Sequence, residues 1–181
     1  MGLKKISEIT KNLQAQERQP RNLPSKFQKR AGALVQVYRN SAELIIGLNY
    51  DFCRERYKLL NTQELTLKSN LIKLSELVVY SEDTPVDLLR AWLLNLSVYL
   101  VIDADGQVIK EVARELYSET YMLNIAELTL LFSRIKRGYY GSFYGRFDGI
   151  IIISAAREFR SARGFILSRL PENEQIKLIQ K

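Results

Sequence analysis

The sequence contains no histidine and a single cysteine, Cys53. Without histidine there is no Ser-His-Asp triad and no Cys-His dyad, because both need an imidazole to take the nucleophile's proton. The two absences together exclude a structural zinc site of the usual Cys/His kind. One thiol cannot close an intramolecular disulfide, so the chain fits a reducing compartment. Glycine and proline are sparse, at 9 and 4 among 181 residues, and there is no internal repeat or low-complexity tract. Long apolar runs are missing as well. Residues 1–30 are polar, with no stretch that fits a secretion signal. The most apolar window, Leu88 to Ile102, carries Arg90 and Asn95 and is too short to span a bilayer. A soluble, cytoplasmic protein without membrane contact is expected.

What is present is globular. Hydrophobic residues make up 46% of the chain and charged ones 26%, enough for one domain with a sizeable core. The net charge is +7, unevenly spread. Lys and Arg outnumber Asp and Glu 12 to 5 in residues 1–60, fall to 5 against 11 in 61–133, and lead 8 to 2 in 134–170. Such basic flanks around an acidic middle either pair internally or face a polyanion.

The organisation expected is a basic arm and linker over 1–24, a helical domain over 25–170 and a polar tail over 171–181. Within the arm, Ser7 to Glu17 has the composition of a short helix, and Pro20 and Pro24 end it. Ser25 to Gln28 reads as a capping box. Val35, Tyr38, Ala42, Ile45, Phe52, Cys53 and Leu60 keep helical spacing, predicting one long helix or two over 26–60. Thr62 predicts the start of a helix over 63–79, with Leu67, Leu71, Leu74 and Val78 on one face. Thr84-Pro85 starts another, apolar on most sides and therefore central, which runs to about Val101. Asp103 to Gly106 breaks it. A helix over 107–119 follows, with Val108, Val112 and Leu116 on one face and Ile109 and Ala113 beside them. Asn124 to Glu127 is capping-box-like and opens a helix whose buried stripe is Leu128, Leu131, Phe132 and Ile135. Lys136, Arg137 and Gly138 close that helix. Asp148 caps a last helix over 149–168, with Ile152, Ala156, Phe159 and Ile166 on one face. No alternating strand pair with a hairpin turn occurs. The expected fold is all-α, an irregular bundle of six or seven helices.

The segment between the last two helices, Arg134 to Asp148, carries the most information. It holds three glycines, five aromatic rings and four basic residues. The glycines let a short loop turn tightly. Tyr139, Tyr140, Phe143, Tyr144 and Phe147 are more rings than an ordinary surface loop needs. One reading packs them onto the bundle. A second stacks some of them on nucleic-acid bases while Arg134, Lys136, Arg137 and Arg146 hold phosphates, an arrangement that favours single strands because every base has a π-face. A third makes the loop a partner-protein surface, since Tyr and Arg favour hot spots. The loop is not a nucleotide cradle. It lacks the Gly-Lys-Ser/Thr ending of a Walker loop, and a helix rather than a strand precedes it.

The block from Asp105 to Arg163 resembles a group of small, poorly characterised proteins of bacterial phages and mobile elements. Their shared pattern is an Ala-Glu-Leu helix start, then Gly-x-Tyr-Gly-x-Phe-Tyr-Gly-x-x-Asp, then a helix ending in Arg. The corresponding residues here are Ala126-Glu127-Leu128, Gly138 to Asp148, and Arg160 or Arg163. The resemblance spans about a third of the chain and implies an all-helical accessory protein. Its layout is similar, by analogy, to helicase loaders and replisome organisers.

Other constellations carry less. Asp103, Asp105 and Gly106 imitate a calcium loop, but the end positions fall on Val101 and Val112, which cannot ligate. Glu111 with Glu115, or Glu127 with Asp148, are the carboxylate pairs open to acid–base chemistry. A solvated helix face and helix starts account for them more simply. Cys53 lies in an apolar stripe and reads as a buried thiol, and Trp92 reads as core. Arg157, Arg160, Arg163 and Arg169 form a basic stripe on the last helix, which either pairs with Glu111, Glu115 or Glu119 or extends the basic surface of the loop. The expectation is a non-enzymatic protein without cofactor or metal. It binds nucleic acid or assists replication through Arg134, Lys136, Arg137, Tyr139, Tyr140, Tyr144, Arg146, Arg157 and Arg160. The alternatives are a protein-interaction adaptor and a structural or virion protein.

Overall fold

The computed structural model describes residues 25–180. The expected arm over 1–24, its short helix over Ser7 to Glu17 and the Ser25 side-chain cap lie outside the described residues. The fold is all-α. The elements are α1 (Ser25–Val37), α2 (Ser41–Gly47), α3 (Tyr50–Arg56), α4 (Gln63–Lys68), a 3-10 helix (Leu74–Val79), α5 (Thr84–Leu100), α6 (Gly106–Thr120), α7 (Ile125–Lys136), α8 (Gly149–Arg169) and α9 (Glu172–Gln180). That is nine α-helices and one 3-10 helix among the described residues, not the six or seven expected. The polar tail carries α9.

Besides α9, the extra helices come from two segments. Over 26–60 the helical spacing persists while the backbone turns twice. Asn40 and Asn49 leave the helix in extended conformation, and their side chains accept from Glu43 N and Phe52 N, both at 2.9 Å. Each asparagine supplies the acceptor that an exposed helix N-terminus lacks, so three helices stand where one or two were expected. The helix expected over 63–79 also splits. Thr62 caps α4 as predicted, through Leu65 N. After Lys68, however, the backbone finds better partners across the molecule. Leu74 N donates to Leu123 O at 2.9 Å, Ser75 N to Tyr121 O at 2.9 Å, and Ile125 N to Ile72 O at 3.1 Å. Lys73 and Asn124 form an isolated antiparallel bridge, and the Asn124 amide donates to Thr66 O at the end of α4. These bonds take the donors a continuous helix would have used.

From α5 onward the boundaries follow the caps. Thr84 sits one position inside the helix, with Asp83 at the N-cap and the Thr84 hydroxyl bonded to Ser81. Asp105 caps α6 through Gln107 N and Val108 N. Ile109, Val112, Ala113 and Leu116 are buried, whereas Val108, expected on the face of Val112 and Leu116, lies at the exposed edge of the stripe.

Helix α6 packs most extensively on α5 and α8, and α7 lies against α3, α4, α5 and α8. Gly149 marks the close approach of α6 to α8, because a Cβ there would stand 2.6 Å from Val112 Cγ2. The centre is aromatic. The Trp92 ring meets Phe132 edge-on at 5.2 Å and Tyr50 at 5.5 Å, and its indole N–H donates to Leu48 O at 2.8 Å. This satisfies the one polar atom the ring carries inside. Fourteen partly buried apolar residues pack around that centre, among them three rings of the loop after α7.

Candidate functional site

The loop is held rigidly at both ends. At its start, α7 opens with the predicted capping box, Asn124 Oδ1 accepting from Glu127 N and Glu127 Oε2 from Asn124 N. It closes with a Schellman motif. Gly138 N donates to Ile135 O and Tyr139 N to Arg134 O, both at 3.0 Å, with Gly138 at φ +72°. At the far end, Asp148 Oδ1 accepts from Ile150 N at 2.9 Å and so starts α8. Between them Gly141 and Gly145 also adopt positive φ, +117° and +72°, where a side chain would be strained.

This backbone divides the five rings. Tyr140, Phe143 and Phe147 pack on the core, while Tyr139 and Tyr144 face outward, Tyr144 at 89% exposure. Tyr139 stands edge-on to Tyr140 at 4.9 Å, and the Arg134 guanidinium lies 5.2 Å from its centroid. The Tyr140 hydroxyl is enclosed and has no hydrogen-bond partner of ordinary geometry among the described residues. Burial raises its pKa, and the nearby Arg134 charge opposes the rise.

The basic residues divide in the same way. Arg134 donates to Gln63 Oε1 at 3.2 Å and covers the Phe159 ring. The Lys136 ammonium is drawn inward, 2.6 Å from Asn95 Oδ1 and 3.9 Å from the Tyr50 centroid, with Tyr99 on its other side. Burial lowers its pKa, and Asp51 works against that. Arg157 and Arg160 both reach Glu119, at 2.8 and 2.6 Å. Of the three acids considered for the α8 stripe, this is the one that pairs. Arg163 meets the buried Glu127 at 2.8 Å. Arg137 is exposed, and Arg146 is 82% exposed with only a long 3.9 Å approach to Asp148.

The exposed rings and cations of the segment are therefore Arg137, Tyr139, Tyr144 and Arg146. Arg134, Lys136 and Tyr140 are engaged inward instead, and Arg157 and Arg160 lie on α8, tied to α6. One further pair escaped the sequence reading. Arg169 stacks 3.8 Å over the exposed Phe165 ring near the end of α8. The i, i+4 spacing of an aromatic and an arginine was the available signal.

Exposed rings and exposed guanidinium groups on one loop are groups able to stack on a flat ligand and to pair with an anion. Among the described residues no group of three or more His, Cys, Asp or Glu is placed to hold a metal ion. No described helix is long and apolar enough to cross a membrane.

An all-α bundle presenting a glycine-hinged aromatic loop is thus the class of molecule in hand. Residues 107–176, which span nearly all of α6, then α7, the loop, α8 and the start of α9, match a protein family described as a family of unknown function (DUF6633). No curated protein and no solved structure matches the chain.

Proposed function

We propose that the protein is a non-enzymatic, cytoplasmic accessory factor of a phage or mobile element that binds single-stranded nucleic acid through the loop after α7. The observation that carries the proposal is the division of the loop's residues. Three rings anchor it to the core, and two tyrosines and two arginines are left outward on a backbone pinned at both ends. Tyr139 and Tyr144 stack on bases, which any base sequence allows. Arg137 and Arg146 hold phosphates. Fluorescence anisotropy with a labelled oligothymidine and a duplex of equal length tests it. Wild type binds the single strand more tightly, and the Arg137→Ala/Arg146→Ala double variant weakens that binding. Binding that the double variant leaves unchanged removes the loop from the interface.

A second reading is favoured by a separate observation. Leu94, Val98 and Val101 form an exposed apolar edge on α5, with Tyr99 beside them. Val101 is 92% exposed and holds a left-handed backbone at φ +56°, an unfavourable place for a β-branched residue. In this reading the protein is an adaptor that meets a partner protein through α5. Nuclease-resistant, stoichiometric co-purification of one partner, lost on Val98→Glu, tests it.

A further inference from the structure

Helix α1 lies over the bundle like a bridge tied at two points. Toward its start, the Arg30 guanidinium donates to Leu71 O at 3.1 Å and pairs with Glu76 at 3.2 Å. At its other end, the Tyr80 hydroxyl lies 3.0 Å from Leu34 O and 2.6 Å from Tyr38 O. Both ties run to the segment around the 3-10 helix. They hold α1 at a fixed distance from α3 and α7, and a cleft of about 280 Å³ lies between. Its floor is apolar, made by Leu34, Leu48, Ile72 and Ile125. Collapse of α1 into this space would break the polar ties, so the cleft is built rather than loosely packed.

The mouth has a different chemistry. Tyr38, Tyr57 and Arg56 line it. Neither tyrosine hydroxyl makes a hydrogen bond among the described residues. The Arg56 guanidinium lies 5.8 Å from the Tyr57 centroid and meets no carboxylate among the described residues, whereas its neighbour Arg54 pairs with Glu55. An apolar slot walled by two rings selects a flat hydrophobic body, and an unpaired guanidinium at its rim selects an anion.

The geometry points to a binding site for a small aromatic carboxylate, its ring system between Tyr38 and the apolar floor and its carboxylate on Arg56. This site is separate from the loop after α7 and does not rest on the function proposed for it. The volume suits a two-ring acid. Isothermal titration of the full chain with 2-naphthoate, and with the uncharged 2-naphthamide, tests the assignment. Wild type binds naphthoate at one site, with Kd in the range of roughly tens to hundreds of micromolar. Arg56→Gln weakens naphthoate about tenfold and leaves naphthamide unchanged. Ala33→Phe, which places a ring in the cleft from α1, abolishes both, with urea unfolding confirming that the variant is folded. Absence of saturable heat with wild type overturns the site. Binding that survives Ala33→Phe in a folded variant overturns its location. Equal loss of naphthoate and naphthamide in Arg56→Gln, or no loss of either, overturns the selection for a carboxylate.

Discussion

The salt dependence of single-strand binding discriminates sharply between the loop as the sequence presents it and the loop as it folds. Read as sequence, Arg134, Lys136, Arg137 and Arg146 are four equivalent cations. Folded, they are not. Lys136 is drawn against Tyr50 and bonded to Asn95, and Arg134 is spent on Gln63 and the face of Phe159. Only Arg137 and Arg146 remain to displace counterions. Each phosphate neutralised on a single strand contributes about −0.7 to the slope of log affinity against log salt. Two contacts give a slope of about −1.4, so affinity falls about sevenfold between about 50 and 200 mM salt. Four contacts would give about −2.8 and a loss of about fifty-fold over the same range. Anisotropy titrations of a labelled oligothymidine at four salt concentrations resolve the two cases. Arg137→Ala and Arg146→Ala should each remove about half the slope, whereas Lys136→Met and Arg157→Ala should leave it unchanged. A wild-type slope near −3, or one halved by Lys136→Met, would refute the reasoning that burial against aromatic rings withdraws Lys136 from the interface.

Three further outcomes follow from the fold. Val101→Gly relieves a left-handed backbone at an exposed position and should stabilise the protein by about 1 kcal/mol, seen as a higher urea midpoint at unchanged slope; a lower midpoint contradicts it. Burial pushes the Cys53 thiol up to about 12, so it should resist an aromatic disulfide reagent at pH 8 in the native state and react at once in urea. Glu127, 1% exposed, has its carboxyl raised by burial against the opposing pull of Arg163. A raised folded-state value means a stability contribution that is full below the usual carboxylate range and is lost as pH rises through the folded value. The stability of wild type relative to Glu127→Gln should therefore decline from pH 4 to pH 7, and a rise over that interval would show that the Arg163 pair outweighs desolvation.

The parts of the fold that were legible are those whose causes are local. Asn124 with Glu127, Thr62 and Asp148 each place an acceptor at a helix start, and the donors they satisfy lie two or three residues away. The α7 stripe is likewise a matter of spacing. The split of the helix expected over 63–79 has a distant cause. Its periodicity is sound, and Leu67 and Leu74 are both buried, but the backbone between them bonds to residues 121–125. No window on the sequence contains both partners. Asn40 and Asn49 are an intermediate case. The caps stand in the sequence, and apolar spacing over 26–60 masked them; of that expected stripe Cys53 is buried, but Val35, Ala42 and Phe52 are exposed, and Leu34, Leu44, Leu48 and Tyr50 fill the core.

At the loop the same distinction decides which residues face outward. That three glycines would set a tight turn was legible, because the conformational freedom of glycine belongs to the residue itself. The fate of the side chains was not. Tyr139 and Tyr140 are neighbours of one type, yet one ring faces out and the other packs on the core just after the turn at Gly138. Lys136 and Arg137 differ as sharply. The last helical position turns Lys136 toward Asn95 and Tyr99 on α5, and the next residue already points away. Composition counts cations and rings, but a binding surface depends on which of them the core has already engaged. The candidate interface is accordingly smaller than its sequence and better defined: two arginines and two tyrosines, with the rest of the segment serving to hold them.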